Sequence, residues 1–236
     1  MSPPARPQVE SRRAQHVRTP LTARADPGDA DRDAPSPAGA VDPLAETRAW
    51  LERAVIGLNL CPFAKAPHAK GQVRFVRSRA REPQALLLDL QAELATLAQA
   101  DPARIETTLM VAPDLLADFD AFNDFLDPAE ALLEAMDLLG TIQIASFHPA
   151  FRFAGSAPDD PGNATNRAPH PTLHLLREAS VERAVDAFPE PAAIYEANLA
   201  TLGALGPAGW AALQAACRRD ATAPAGTHPD PARPDA

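Results

Sequence analysis

The chain has little of what marks several large classes of protein. No apolar run approaches the roughly 18 residues of a membrane span, and the N-terminus lacks the apolar core of a secretory signal peptide. Its two cysteines, Cys61 and Cys217, are too few for a disulfide framework. These absences make the cytoplasm the expected location, with no membrane partner. Glycine-rich signatures are missing as well. Gly155, Gly162 and the glycines of 203–209 form neither a phosphate loop nor a dinucleotide fingerprint, and no Gly-x-Ser-x-Gly elbow occurs. No cofactor is therefore indicated by motif. A basic surplus is also absent: 22 Lys and Arg stand against 31 Asp and Glu, for a net charge of −9. The clustered Lys/Arg footprint of a nucleic-acid binder is not there, so no nucleic-acid partner is expected.

The prolines are plentiful but uneven. Of 26, seven lie in residues 1–42 and four in residues 220–236. Both ends lack apolar periodicity, and without burial nothing offsets the entropy of ordering. Residues 1–42 and 218–236 are expected to be disordered tails around a single domain, 43–217. The tails are neutral, with six Arg against six acids in the first and three against three in the second. The net acidity thus belongs to the domain, 13 basic against 22 acidic residues. Residues 1–25, with five Arg against Glu10 alone, bear a faint likeness to an organellar transit peptide. The plainer reading is an Arg/Ala/Pro tail.

Within the domain, Asp42-Pro43 is a helix start, and Leu44, Thr47, Leu51, Val55 and Leu58 recur at helical spacing. A two-proline loop, 60–71, leads to an alternating strand at 72–77. Glu82-Pro83 opens a second helix that stops before Asp101-Pro102, and 107–111 reads as a buried strand. Pro113-Asp114 and Asp127-Pro128 each start a helix, Gly140 ends the second, and 141–147 is a third strand. From 148 to 171 no period is visible, which in a compact domain marks either a functional loop or a mistaken assignment of elements. Helices are expected over 172–179, 180–188, 191–202 and 207–217. Long crossovers favour parallel pairing. The expected fold is α/β: a small, mostly parallel sheet of three or four strands, layered with about seven helices. A split antiparallel arrangement is the competing topology.

Chemistry concentrates in two places. The stretch SFHPAFRFAGSAPDDPGNATNRAPHPTLHLLRE, 146–178, holds three of the domain's four histidines together with Arg152, Arg167, Arg177, Asn163, Asn166 and Glu178. His148 follows the third strand, at the carboxyl end where α/β sheets gather ligands. With His174 and Glu178 four apart on an expected helix, the pair reads as metal ligands or as a base held by a carboxylate. Adding His148 gives the ligand types of some zinc or non-haem iron sites, so His148, His174 and Glu178 are the metal candidates. The second place is Cys61. The chain has 20 Arg but only two Lys, and both, Lys65 and Lys70, follow Cys61 closely, with His68 between them. Cations near a thiol favour the thiolate, so Cys61 reads as a nucleophile, a redox thiol or part of an anion-binding loop. A buried structural cysteine is the bland alternative. Cys217 reads as incidental.

The runs VIGLNLCPFAK (55–65), SFHPAFRFAG (146–155), TNRAPHPTLHLLRE (165–178) and ANLATLGALGPAGW (197–210) resemble a bacterial family known as domain of unknown function 1415. The likeness spans about residues 44–213 and implies a small stand-alone bacterial protein. It also implies that Cys61, His148, Asp159, Asp160, Asn163, Asn166, Arg167, His174, Arg177 and Glu178 belong to the family's polar signature. The chain departs from the pattern at Ala168 and His170, where the family usually shows Ser and Tyr, so no hydroxyl role carries over there.

The function these residues fit best is an enzyme acting on a small anionic substrate. Cys61, His148, His174 and Glu178 are the candidate catalytic groups; Arg152, Asn163, Asn166, Arg167, Arg177 and Lys65 are the candidate substrate contacts. The alternatives are a non-catalytic ligand- or metal-binding protein, and an acidic module that meets a basic partner.

Overall fold

The computed structural model describes residues 41–186 and 191–222. Helix α1 (Pro43–Trp50) starts as its sequence dictates. The Asp42 carboxylate accepts the Leu44 N–H at 3.1 Å, and Pro43 sits in the first turn, where a backbone donor would have no partner. The helix loosens into a π-helical segment, Leu51–Ile56. There follow α2 (Lys65–Ala69), β1 (Val73–Arg77), α3 (Pro83–Gln99), β2 (Thr107–Val111), α4 (Phe119–Ala135) and β3 (Ile142–Phe147). A 3-10 turn (Pro161–Asn166) precedes β4 (Thr172–Arg177), α5 (Glu178–Asp186) and α6 (Pro191–Thr222).

The strands form one sheet in the order β1-β2-β4-β3. β1 and β2 are parallel, and β4 is antiparallel to both β2 and β3. The α/β layering is as expected, but the mostly parallel sheet is corrected, since two of its three pairings are antiparallel. β1, β2 and β3 do run the same way, as their helical crossovers require. What changes the sheet is β4, inserted between two of them in the opposite sense. Its residues were expected to be helical. As an inner strand packed on both faces it carries leucines on both, Leu173 and Leu175 on one and Leu176 on the other, which blurs the period of two.

One smaller correction follows from packing. The two helices expected around Asp127-Pro128 are one, α4, with the exposed Pro128 inside it. Phe122, Phe125, Ala129 and Leu133 make a continuous buried face across the proline, and burial along that face outweighs one lost backbone bond. The two helices expected over 191–202 and 207–217 are both present, as the two arms of α6, and they part at Gly206, whose φ of 63° is left-handed and suits glycine. α6 runs on to Thr222, past the domain boundary expected at 217. Residues 187–188 of the expected 180–188 helix, and the expected tails outside 41–222, lie outside the described residues.

Helices cover both faces of the sheet. On one, Leu86, Leu90, Leu94 and Leu97 of α3 and the apolar face of α4 pack over Met110, Ile142, Leu173 and Leu175. On the other, Trp50, Leu51 and Ala54 join Leu202, Trp210 and Cys217 of α6 over Leu109, with Val73, Phe75 and Phe147 partly buried beside them. Each fully buried leucine contributes roughly 1.5–3 kcal/mol. No described helix is long and apolar enough to cross a membrane.

Candidate functional site

Because β1, β2 and β3 share a direction, their carboxyl ends lie along one edge of the sheet with the amino end of β4. At this edge is a cavity of about 80 Å³. Glu46 and Trp50 of α1, Pro149 after β3, Arg167, Ala168 and Pro169 before β4, and Gln214, Cys217 and Arg218 of α6 line it.

Glu46 is the chemical centre of the cavity. It stands one turn before Trp50 on the packed face of α1, and its exposure is only 5%. A carboxylate so placed needs partners, since burying an unpaired charge is costly. His170 Nε2–H donates to its Oε2 at 3.0 Å, and Arg218 Nη1 lies 3.9 Å from its Oε1. The carboxylate fixes the proton of His170 on Nε2 and leaves Nδ1 for other use. Arg167 is anchored by two backbone carbonyls: Nε donates to Phe151 O at 3.2 Å and Nη2 to Pro158 O at 2.9 Å. Cys217 is 1% exposed, and burial pushes its thiol up from the ordinary range. Two guanidinium groups and a carboxylate therefore border one small space, and the carboxylate is bonded on its other oxygen to the His170 imidazole.

The loop that carries Arg167 is held by its own polar side chains. Asn163, fully buried, accepts the Phe153 N–H (3.0 Å) and the Ser156 hydroxyl (2.8 Å) on Oδ1 and donates from Nδ2 to Ala157 O (2.9 Å). Asn166 Nδ2 donates to Ser146 O at 3.1 Å, and its own carbonyl accepts the His148 N–H at 3.1 Å. Asp160 caps the 3-10 turn by accepting the Gly162 N–H at 2.7 Å, whereas Asp159 is exposed. A side chain at Gly162 would press on Leu199 of α6 at 3.0 Å, so glycine lets the turn sit against that helix. Asn163 and Asn166 thus shape the loop, and Arg167 is the member of the expected substrate set that reaches the cavity.

The other expected residues are dispersed. His148 is fully buried between Phe119 and Phe122 on the α3/α4 face. Its Nδ1 accepts the Ala150 N–H and its Nε2–H donates to Leu116 O, both at 3.0 Å, while burial lowers its pKa. Both nitrogens of this neutral ring are engaged. Leu116 adopts a left-handed φ of 58°, uncommon for a branched residue, at the point where its carbonyl meets the ring. His174 lies on the opposite face of the sheet, against Phe147. Thr107 Oγ1 donates to Leu175 O at 2.6 Å and accepts His174 Nε2–H at 2.7 Å, and desolvation pushes the imidazole down to about 4.

The expected helical pairing of His174 with Glu178 is corrected, because His174 is in β4 and Glu178 begins α5. Arg177 points its Nη2 at Leu97 O, Ala100 O and Ile105 O (2.7, 2.7 and 3.1 Å), tying off the end of α3 at the edge remote from the cavity. Arg152 is exposed, 3.9 Å from Asp120, and Lys65 is exposed at the start of α2. Cys61 is half-buried, and burial pushes its thiol up; the N–H groups of Phe63 and Ala64 offset only part of this. His68 is 3.2 Å from Glu52. Among the described residues no group of three or more His, Cys, Asp or Glu is arranged to hold a metal ion.

Glu46, His170, Cys217 and Arg218 escaped the sequence reading. One signal was available for Glu46, a carboxylate falling between Pro43, Thr47 and Trp50 on the packed side of a helix. Arg218 looked like the first residue of a tail, and Cys217 like a filler beside it.

A family profile described as a protein of unknown function (DUF1415) matches residues 42–212, and the chain belongs to that family. No curated protein and no solved structure matches it.

Proposed function

We propose that this DUF1415 protein is an enzyme for a small anionic substrate, bound in the cavity at the carboxyl edge of the sheet. The observation that carries this reading is the buried Glu46, which joins His170 and Arg218 beside a cavity that Arg167 also borders. Arg167 and Arg218 would receive a carboxylate or phosphate group, for which guanidinium is the best-matched partner. His170, oriented by Glu46, would move a proton on the bound molecule. The cavity admits only a group of a few atoms, so any larger part of a substrate would extend towards solvent past the exposed Arg218.

Calorimetric titration with phosphate, sulfate, acetate and malonate tests the binding step. At least one of these anions should bind to the wild-type chain and lose affinity about tenfold or more in the Arg167→Gln/Arg218→Gln double variant. Binding by none of them, or equal binding by the double variant, would overturn the reading. Where an anion binds, screening its esters and amides for turnover separates an enzyme from a protein that only retains the ligand: turnover lost in His170→Gln supports catalysis.

A further inference from the structure

The two lysines remain unexplained by the cavity above, and one of them borders a second opening. At the amino edge of β1 and β2, Lys70, Gln72, Glu106 and Arg183 meet around an open cleft of about 370 Å³, within the common size range of small-molecule sites. We propose that this cleft is a second binding site, for a phosphorylated molecule that also carries hydroxyl groups, such as a sugar phosphate.

Each wall has a structural reason. Gly71, with a left-handed φ of 68°, turns the chain from α2 into β1 and leaves Lys70 at the rim. Gln72 Nε2 donates to Ala103 O at 2.8 Å and Pro102 O at 3.3 Å, which clamps the turn before β2 and leaves its Oε1 as an acceptor. Arg183 reaches from α5, with Nη2 2.8 Å from Ser180 Oγ and 3.8 Å from Glu106 Oε1. The side chain of Glu106 is 18% exposed.

The mixture of charges selects the ligand. Lys70 and Arg183 attract an anion, and Arg183 can grip phosphate with two donors. A bare anion would meet repulsion from Glu106. A ligand that presents hydroxyl donors to Glu106 and Gln72 Oε1, and phosphate to the two cations, satisfies all four groups. The rings of Pro67 and Pro102, on the same walls, offer apolar surface to the C–H face of a sugar.

Ribose 5-phosphate is a suitable probe, with inorganic phosphate and ribose as controls, followed by calorimetry and by amide shifts in NMR spectra. It should bind more tightly than either control and perturb the amides of residues 66–72 and 102–106. Measured in the Arg167→Gln/Arg218→Gln background, where the small cavity no longer competes for phosphate, the probe should still bind, and Lys70→Gln/Arg183→Gln should weaken it about tenfold or more. Glu106→Gln should strengthen inorganic phosphate and weaken ribose 5-phosphate. These residues are on the surface or rim, and an unchanged far-UV spectrum and melting temperature would confirm that each variant folds. The proposal is overturned if the probe does not bind at millimolar concentration or if Lys70→Gln/Arg183→Gln binds it as well as wild type. It is equally overturned if the loss appears only in Arg167→Gln/Arg218→Gln.

Discussion

The two faces of the sheet have the same four strands beneath them and different chemistry above them. Against α3 and α4 the contacts are aliphatic and aromatic, and the one imidazole there, His148, has both nitrogens occupied by backbone groups. Against α1 and α6 the core includes a buried carboxylate, a half-buried histidine bonded to a threonine, a buried thiol and a cavity. A strand alternates its side chains, so one sheet can be supported on one face while the other holds polar groups. The first face stabilises the fold. The second carries the charged and polar groups that border the cavity.

This contrast can be broken most forcefully from the first face. Leu90 and Phe122 are 0% and 1% exposed, and Phe122→Ala should cost about 3–5 kcal/mol and Leu90→Ala about 2–5 kcal/mol by denaturant unfolding. Folded at low temperature, either variant should bind the anion of the small cavity as wild type does. A specific loss of affinity would show that the faces are coupled.

Glu46→Ala attacks the second face. It leaves His170 and Arg218 without their buried partner and should cost roughly 1–3 kcal/mol. Unlike the core variants, it should also shift anion affinity, because the carboxylate holds Arg218 beside the cavity and neutralises part of its charge. If stability falls and affinity is unchanged, Glu46 is only a packing residue.

The pH dependence of stability distinguishes the faces more gently. Burial lowers the pKa of both His148 and His174, the latter from 6.5 to about 4. The unfolded chain therefore takes up protons from about pH 6.5 downward while the folded ring of His174 stays neutral. The stability held above pH 6.5 should be lost progressively as pH falls to about 4, by up to roughly 3 kcal/mol for His174. Urea titrations at several pH values should show a shallower slope in His174→Gln than in wild type. Equal slopes would mean that the ring is hydrated.

The smallest effect concerns the thiols. Burial pushes both Cys61 and Cys217 up, so a thiol reagent at neutral pH should modify the folded chain slowly and the unfolded chain fast. Rapid labelling of Cys61 in the folded protein would restore the thiolate that the nearby lysines suggested.

Much of this architecture was legible in the sequence where side-chain pattern and backbone chemistry agreed. Asp42-Pro43 and Pro83 mark helix starts, and the crossovers correctly imply that β1, β2 and β3 run one way. β4 was hidden because an inner strand has no solvent face to impose alternation. The separation of His148 from His174 was hidden too, since the face that His174 takes is set by the pairing of β4 with strands distant in the chain. The 148–171 loop was recognisable as long and polar, but not the division of labour within it. Asn163 satisfies the loop's own backbone, while Arg167 borders the cavity. Glu46 and Arg218 are 172 positions apart in the chain, which no local pattern connects.

The most direct test of the division between the faces is calorimetric anion binding by the wild type and by Arg167→Gln/Arg218→Gln, side by side with their unfolding free energies. Binding by the wild type, with affinity lost about tenfold or more in the double variant and little change in stability, is the expected result. An anion that binds both proteins equally, or neither, would contradict the assignment of the α1/α6 face as the functional one.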